Sequence, residues 1–300
     1  MTDAVHVQVP ATTANLGPGY DCLGLALSLH NEVTLSPAAE VSVTIEGEGA
    51  AALPRDEGHL VLVAARAAAR AAGRQLPPVS LTQVNRIPLA RGMGSSSAAI
   101  VAGVLAANEL LGLNLPRRRM LDICTEVEGH PDNVAPALLG GLTVCCVVDG
   151  EVLVRRLDVA QGLSCALAIP DFEVSTEAAR RALPDTIPHA DGVFNLCRTG
   201  LVVAALVSGE FGLLREAMRD RLHQPYRAHL VPGMDDVIAA ALAAGAHGSC
   251  LSGSGPAVAA FVTERGEEVA AAMVNAFAGA GVSAEARVVA LSPAGARLVP

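Results

Sequence analysis

The chain has 300 residues, 51% of them hydrophobic and 17% charged, so it can bury a sizeable core and is too apolar to be intrinsically disordered. Its 30 acidic residues outnumber its 21 basic ones, which argues against nucleic-acid binding because phosphate neutralisation supplies most of that affinity. Every basic residue is an arginine, and the absence of lysine excludes a Schiff-base lysine and a Walker A phosphate loop.

The first half of the chain predicts strands followed by helices. Alternating apolar residues predict strands at 5–9, 23–33, 41–45 and 79–84. Helical spacing predicts helices at 60–72, 98–111, 117–126 and 133–139. A hairpin is expected at 142–157, with its turn at Asp149-Gly150.

The second half repeats this mixture in a different order. Strands are predicted at 165–169, 257–262 and 285–291. Helices are predicted at 176–182, 194–207, 211–221, 234–244 and 267–278. This unequal order of strands and helices favours an α+β fold over a doubly wound sheet, with a domain boundary near the hairpin.

The chain carries no signal for export or for a membrane. Its first residues lack a basic segment and a long apolar run, and its other apolar stretches are interrupted or too short to span a bilayer. Seven scattered cysteines without C-x-x-C pairs predict neither a disulfide framework nor a zinc site. We therefore expect a cytoplasmic protein with no membrane partner.

A glycine- and serine-rich loop precedes the helix at 98–111. Glycines at such a place let backbone N–H groups approach a phosphate, and the helix dipole favours its negative charge. The alternative is a serine-capped helix after a flexible turn. The candidate phosphate-binding residues are Pro88, Leu89, Ala90, Arg91, Gly92, Met93, Gly94, Ser95, Ser96 and Ser97.

Two further segments concentrate polar groups. The loop after the first strand contains Asn15 and Asp21 around a Gly-Pro-Gly turn, and these side chains could bind a polar ligand or simply stabilise the turn. Downstream, two carboxylates, an imidazole, a third carboxylate and an amide fall within eight residues: Glu126, Glu128, His130, Asp132 and Asn133. Gly129 and Pro131 there also indicate the end of one helix and the start of the next.

Four segments in order, 10–21, 88–98, 130–136 and 251–256, resemble the motifs of the GHMP small-molecule kinases, and most closely those members that phosphorylate homoserine. The resemblance covers most of the chain. It implies transfer of the γ-phosphoryl group of ATP, with Mg²⁺, to the side-chain hydroxyl of L-homoserine, giving O-phospho-L-homoserine on the threonine pathway.

The resemblance also implies a two-domain α+β fold. A ribosomal S5 domain 2-like N-terminal domain would span 1–155 and carry the ATP-phosphate loop. A ferredoxin-like C-terminal domain would span 156–300 and contribute arginines that bind the substrate, so the site should form between the two domains. Relatives of this kind are commonly homodimers.

The resemblance assigns roles residue by residue. For Mg²⁺ it implies Ser96 and Glu126, with Glu128 as an alternative to Glu126. Around the substrate it implies Asn15, Asp21, His130, Asp132, Asn133, Thr176, Arg180, Arg227 and Gly253. Arg180 and Arg227 would bind the α-carboxylate, which a guanidinium can hold through two hydrogen bonds.

The group that accepts the hydroxyl proton stays open. Asp132, Asn133 and Asp21 are the candidate catalytic residues, and a loose transition state does not require a strong base. Three other functions compete: a dinucleotide-binding oxidoreductase, a kinase of the same family for another alcohol such as mevalonate or shikimate, and a non-catalytic sensor. The first fails locally because Val258 stands where the third glycine of the fingerprint belongs.

Overall fold

The structure, a computed structural model, describes residues 4–300, which contain eleven strands and ten α-helices. The first six strands are β1 (Val5–Ala14), β2 (Leu23–Pro37), β3 (Ser42–Gly47), β4 (Val79–Asn85), β5 (Leu142–Val148) and β6 (Glu151–Leu157). The first four helices are α1 (Leu60–Ala71), α2 (Ser95–Leu110), α3 (Arg117–Glu128) and α4 (Pro131–Leu139). The predicted elements of this half are confirmed, apart from small shifts at their ends.

These six strands and β11 (Arg297–Val299) form one seven-stranded sheet. Its order is β11-β1-β2-β4-β3, and β5 pairs with β2 and β6. Neighbouring strands are antiparallel except β3 and β4, which are parallel and are joined through α1. The polar loop between β1 and β2 therefore leaves the end of a buried hairpin.

Helix α2 is apolar on all sides and lies between α1 and the strands β1 and β2. A helix that is hydrophobic all round must be buried, which fixes its position in the core. Gly103 lets α1 approach closely, because a Cβ there would lie 2.2 Å from the Val61 carbonyl oxygen. The N-terminus of α2, with its serines, is thereby held at the surface of the core.

The second sheet contains β7 (Ser164–Pro170), β8 (Gly248–Leu251), β9 (Val258–Val262) and β10 (Ala284–Ala290). Its order is β10-β7-β9-β8, and every neighbouring pair is antiparallel. Helices α9 (Met234–Ala243) and α10 (Gly266–Gly279) pack together and contact this sheet. The 4-1-3-2 strand order agrees with the expected ferredoxin-like arrangement.

Short helices replace one predicted long helix. The prediction of one helix at 211–221 is wrong beyond its first two turns. The chain forms a 3-10 turn and then α7 (Leu214–Ala217), after which it bends and continues as α8 (Gln224–Arg227). The Asp220 carboxylate accepts hydrogen bonds from the backbone N–H groups of Leu222, His223 and Gln224, and so stabilises the bend. Such local bonds compete with a helix.

Helix α6 (His189–Ser208) follows α5 (Thr176–Arg181) and begins after Pro188. Its 20 residues make it longer than predicted, and it is the one helix within 4–300 that could cross a membrane by length and composition. One face packs inward through Asn195, Val202, Ala205 and Leu206. The helix therefore has a buried side and an exposed apolar side.

Candidate functional site

A cleft of about 210 Å³ lies between the glycine–serine loop, the start of α5 and the loop after β8. Its walls are formed by residues from both halves of the sequence. They are Ala90–Ser97, Glu128, His130, Asn133, Val174, Ser175, Thr176, Gly253 and Ser254. The segment from Ala90 to Ser97 lines the cleft, whereas Pro88 and Leu89 lie outside it.

The glycines of the loop are required by its geometry. Gly92 and Gly94 have φ values of 72° and 70°, in the left-handed region that favours glycine. A Cβ on Gly94 would lie 2.0 Å from the Thr12 Oγ1, and one on Gly92 would lie 2.0 Å from the Ser252 carbonyl oxygen. Gly94 is also the N-cap of α2, so the loop delivers backbone N–H groups to the cleft.

Arg91 fastens this loop to the second sheet. Its guanidinium donates to the carbonyl oxygens of Pro170, Asp171 and Leu89, and its Nη1 lies 3.5 Å from the Glu173 carboxylate. Met93 is buried in the core. Both side chains are therefore engaged with protein, and they flank Gly92, which lines the cleft and carries no side chain.

The carboxylate beside the serines belongs to Glu128. Its Oε1 accepts hydrogen bonds from the Ser96 Oγ at 2.7 Å and the Ser97 Oγ at 2.8 Å. Glu126, expected at the metal, does not line the cleft: its exposed carboxylate lies 3.4 Å from Arg119. Of the two carboxylates that the sequence leaves open, Glu128 is therefore the one that lines the cleft, because residues two apart on a helix point to different sides.

His130, Asp132 and Asn133 form a connected group at the start of α4. The Asp132 carboxylate, which is buried, lies 2.6 Å from the His130 Nδ1 and accepts from the Asn133 Nδ2 at 3.4 Å. The Thr12 Oγ1 donates to the Asn133 Oδ1 at 2.7 Å. Asp132 therefore lies behind His130 and Asn133, which face the cleft.

These contacts set the protonation of His130. Burial by itself lowers the pKa of the imidazole, but the hydrogen bond and charge of Asp132, together with the charge of Glu128, outweigh it and leave the His130 pKa above its ordinary value of 6.5. A protonated His130 would bring a positive charge to a cleft in which no lysine is available, since the chain contains none.

Asn15 joins the first polar loop to the loop after β8. Its Nδ2 donates to the Gly253 carbonyl oxygen at 2.9 Å, and its Oδ1 accepts from the Asp21 backbone N–H at 3.1 Å. The side chain is buried and its φ of 69° is unusual for a non-glycine residue. Asn15 thus orders this junction through Gly253, which lines the cleft, without lining the cleft itself.

Asp21 and Arg180, which do not line the cleft itself, form a two-pronged ion pair between the first polar loop and α5. The Arg180 Nη1 and Nη2 each lie 2.9 Å from a carboxylate oxygen of Asp21, and Nη1 also donates to the Tyr20 hydroxyl. The hydrogen bond to Asp21 raises the pKa of Arg180. Both side chains are partly exposed, so a ligand can reach them.

Arg227 is buried without an acidic partner in residues 4–300. The residue is 2% exposed, and its guanidinium donates to the carbonyl oxygens of Ala179 and Gly253 and to the His223 Nδ1. Burial lowers the pKa of this guanidinium, which reflects the cost of an uncompensated charge. An anion bound beside it would remove that cost.

A second pocket of about 390 Å³ adjoins Ser95 and Ser96. Its lining is mainly apolar, with Leu53, Pro54, Leu60, Leu89 and Ala99 among its residues. His59 and Gln83 also line it, and the His59 Nε2 and the Gln83 Oε1 are buried with no hydrogen-bond partner in the described part of the chain. Such unpaired polar atoms are costly unless a ligand or water satisfies them.

Sequence reasoning missed several residues that the structure brings to the site. Thr12 and Tyr20 lie inside the first motif, but nothing in the local pattern separates them from their neighbours. Gln83 is distinguished by being a buried polar residue in a strand whose preceding inward positions, Val79 and Leu81, are apolar. His223 precedes the predicted Arg227 by one helical turn, a spacing that could have indicated contact.

Comparison with known proteins places these residues in a family context. The protein-family model described as "GHMP kinases N terminal domain" matches residues 59–141, and the family model described as "GHMP kinases C terminal" matches residues 202–279. The homoserine kinase of Desulfitobacterium hafniense is 46% identical over 98% of this chain and 100% of its own. That of Moorella thermoacetica is 47% identical over 92% of this chain and 93% of its own.

Solved structures agree with the sequence relatives. The crystal structure of homoserine kinase from Cytophaga hutchinsonii has a TM-score of 0.90 and 32% identity, and covers 100% of this chain and 98% of its own. The mevalonate diphosphate decarboxylase of Staphylococcus aureus has a TM-score of 0.74 at 14% identity, covering 100% of this chain and 99% of its own. This second likeness concerns the fold alone.

Proposed function

The chain belongs to the homoserine kinases of the GHMP kinase family, and we propose that its reaction takes place in the cleft between the glycine–serine loop and Arg227. The enzyme uses ATP to phosphorylate the side-chain hydroxyl of homoserine, a step of threonine biosynthesis. The observation that carries the location is the buried Arg227 guanidinium, which has no acidic partner among residues 4–300, in a chain whose phosphate loop is also built without lysine.

The triphosphate of ATP would lie along Gly92–Ser97. The backbone N–H groups of this loop and the N-terminus of a 16-residue helix offer donors and a partial positive charge. Phosphoryl transfer depends mainly on positioning and charge neutralisation, so such donors can replace a lysine. The adjacent pocket suits the adenine ring, and the unpaired His59 and Gln83 atoms would hydrogen-bond to its edge.

The residues beside the loop fit Mg²⁺. Within 4–300 no cluster of three or more His, Cys, Asp or Glu residues is present, but Mg²⁺ usually keeps several waters and takes one or two carboxylates besides substrate phosphates. Glu128 and Ser96, whose side chains are in contact, would hold the ion. When bound, it would neutralise phosphate charge.

The amino acid would occupy the other end of the cleft. Its α-carboxylate would bind the free side of Arg227 and the Arg180 guanidinium, and its ammonium would bind Asp21. Support comes from the Asp21–Arg180 pair, because the two charged ends of a zwitterion could replace that pair by two equivalent contacts. Thr176 and Gly253, which line the cleft, would border the substrate.

The hydroxyl would then lie near Asn133 and His130. The Asn133 Oδ1 already accepts from Thr12, which orients the amide so that Nδ2 is directed toward Asp132. Asp132 is held by His130, and we therefore assign it the role of positioning these two side chains. In the reaction the γ-phosphorus bonds to the hydroxyl oxygen as the bond between this phosphorus and ADP breaks, and the hydroxyl proton departs late, to a phosphate oxygen or to water, without a strong base.

We also propose a homodimer and a cytoplasmic enzyme with domains at 1–155 and 156–300. The two sheets support the division, although β6 ends at Leu157 and β11 joins the first sheet. The exposed side of α6 supports self-association: Val193, Leu196, Leu201 and Val207 are exposed there, while Gly200 and Ala204 are small enough for a second helix to approach.

An ADP-release assay with ATP and a panel of alcohols tests the substrate assignment. We expect turnover of L-homoserine and none of mevalonate or shikimate, because only an amino acid uses both Asp21 and the arginines. ³¹P NMR should identify O-phospho-L-homoserine as the product. Turnover of mevalonate without turnover of homoserine would contradict the proposal, and ATP binding without ADP formation would favour the non-catalytic sensor.

A further inference from the structure

His223 lies directly behind Arg227 and is fully buried. Its Nε2 is 2.7 Å from the Gly17 carbonyl oxygen, and its Nδ1 is 3.1 Å from the Arg227 Nη1. Since a carbonyl oxygen only accepts and a guanidinium only donates, Nε2 must carry the hydrogen and Nδ1 must accept. The imidazole is therefore neutral and in a single tautomer.

The surroundings of His223 hold this arrangement in place. Asp220 accepts from the His223 backbone N–H at 3.0 Å and from the Asn195 Nδ2 at 2.7 Å, so the backbone of the segment is fixed. The Tyr20 ring lies 5.4 Å from the imidazole and 5.2 Å from the Arg227 guanidinium. Burial lowers the pKa of His223, in agreement with a neutral ring beside a cation.

The two hydrogen bonds of His223 connect separate parts of the site. Gly17 belongs to the loop that carries Asn15 and Asp21, whereas Arg227 lies on α8. The Gly253 carbonyl oxygen accepts from both Asn15 and Arg227, at 2.9 and 3.2 Å, and closes the connection. A shift of the Gly17 loop would therefore change the direction of the Arg227 guanidinium.

We propose that His223 is a positioning residue for homoserine: its neutral Nδ1 orients Arg227 toward the α-carboxylate, and its Nε2–H ties that orientation to the loop carrying Asp21. The inference rests on the proposed role of Arg227. Because Nη1 is occupied by His223 and Gly253 and Nε by Ala179, Nη2 is left for the ligand.

Two amide variants separate the two hydrogen bonds. In His223→Asn, the Oδ1 can replace the Nδ1 acceptor; in His223→Gln, the Nε2 can replace only the donor to Gly17. We expect His223→Gln to raise the KM for L-homoserine about 10-fold or more, with the KM for ATP within about twofold of the wild type. His223→Asn should have a KM for L-homoserine much closer to that of the wild type than His223→Gln has.

A merely structural role would give a different pattern. Equal changes in both KM values, or His223→Asn as impaired as His223→Gln, would overturn the inference. His247→Gln, which alters an exposed histidine bonded to Thr263, is the matched control. Arg227→Met is assayed in parallel: an unchanged homoserine KM there would reject the proposed role of Arg227 itself, which is distinguishable from a failure of His223 alone.

The tautomer can also be tested without a substitution that threatens folding. ¹⁵N NMR of the histidine-labelled wild-type enzyme should show, for His223, a pyridine-type Nδ1 and a protonated Nε2 between pH 6 and pH 8. Addition of L-homoserine should shift the Nδ1 resonance. An imidazolium ring, or a proton on Nδ1, would contradict the proposal.

Discussion

Glu126 and Glu128 are separated by one residue in the sequence, but their side chains have different surroundings. Spacing shows that both lie near the end of α3, but it does not show how the helix is rotated against its neighbours. That rotation is set by burial of Met120, Leu121 and Cys124, which turns Glu128 toward the serines and Glu126 toward solvent. The motif could therefore be read from sequence, while the choice between two carboxylates could not.

The pair provides a matched test. We expect Glu128→Gln to lower kcat/KM by about 10- to 100-fold and to raise the Mg²⁺ concentration needed for half-maximal rate, because the change removes a charge that would hold the ion. Glu126→Gln, which only removes an exposed pair with Arg119, should resemble the wild type. Mg²⁺ titrations of activity measure both, and an effect confined to Glu126→Gln would reject the assignment.

His130 gives a prediction about pH and stability. Its pKa in the folded protein lies above the ordinary value of 6.5, so the stabilisation from its protonated form is complete below about pH 6.5 and is lost as pH rises through the raised pKa. We therefore expect the wild type to be more stable than His130→Asn at pH 6, and this difference in the free energy of unfolding to be smaller at pH 9.

Urea denaturation of both proteins at the two pH values measures this difference. His229→Asn is a suitable control, because His229 lies outside the cleft in the 3-10 turn after α8. A difference between wild type and His130→Asn that is constant with pH, or that grows as pH rises, would show that His130 is not held in its charged form by Asp132.

At the scale of elements, most strands and helices followed from apolar periodicity, since each buries one face or one stripe. The failures have local causes. The helix expected at 211–221 is interrupted by the Asp220 side chain, and β8 and β11, with four and three residues, are too short to show an alternating pattern. Helix α6 starts earlier than its apolar spacing indicates because Pro188 precedes it.

The packing of α2 against α1 predicts the effect of a single methyl group. Gly103→Ala should destabilise the fold by about 1–3 kcal/mol, because its Cβ would meet the Val61 carbonyl oxygen at 2.2 Å and backbone must move. Gly279→Ala, at a helical glycine with no neighbouring atom within 4 Å, should be neutral or stabilise by up to about 1 kcal/mol. Chemical denaturation compares the two, and equal effects would contradict this packing.

At the scale of the molecule, the exposed stripe of α6 predicts the oligomeric state. Leu196 is 75% exposed, and Leu196→Asp should weaken self-association by more than about 100-fold, because a charge buried in an apolar interface is costly. Leu153→Asp on the β5–β6 hairpin, where the leucine is 49% exposed, is the matched control. Sedimentation equilibrium measures both; dissociation by Leu153→Asp instead would place the interface at the hairpin.

The site combines residues from both sheets' surroundings, so its contacts could not be predicted from sequence alone. Most residues of the site could be predicted, because each belongs to one of the four local motifs. Contacts such as Asn15 with Gly253, or Asp21 with Arg180, join residues more than 150 positions apart. No local pattern encodes which of these charged side chains are paired with an opposite charge and which, like Arg227, have no acidic partner within residues 4–300.

The most direct measurement compares two alcohols that differ by the α-carboxylate. Phosphoryl transfer from ATP to L-homoserine and to 3-amino-1-propanol is measured for the wild type, Arg227→Met and the control Arg181→Met, which alters the exposed neighbour of Arg180. Arg227→Met should lower kcat/KM for L-homoserine by at least about 30-fold and leave kcat/KM for 3-amino-1-propanol almost unchanged. An equal loss for both alcohols, or no loss for homoserine, would contradict the binding of the substrate carboxylate by Arg227.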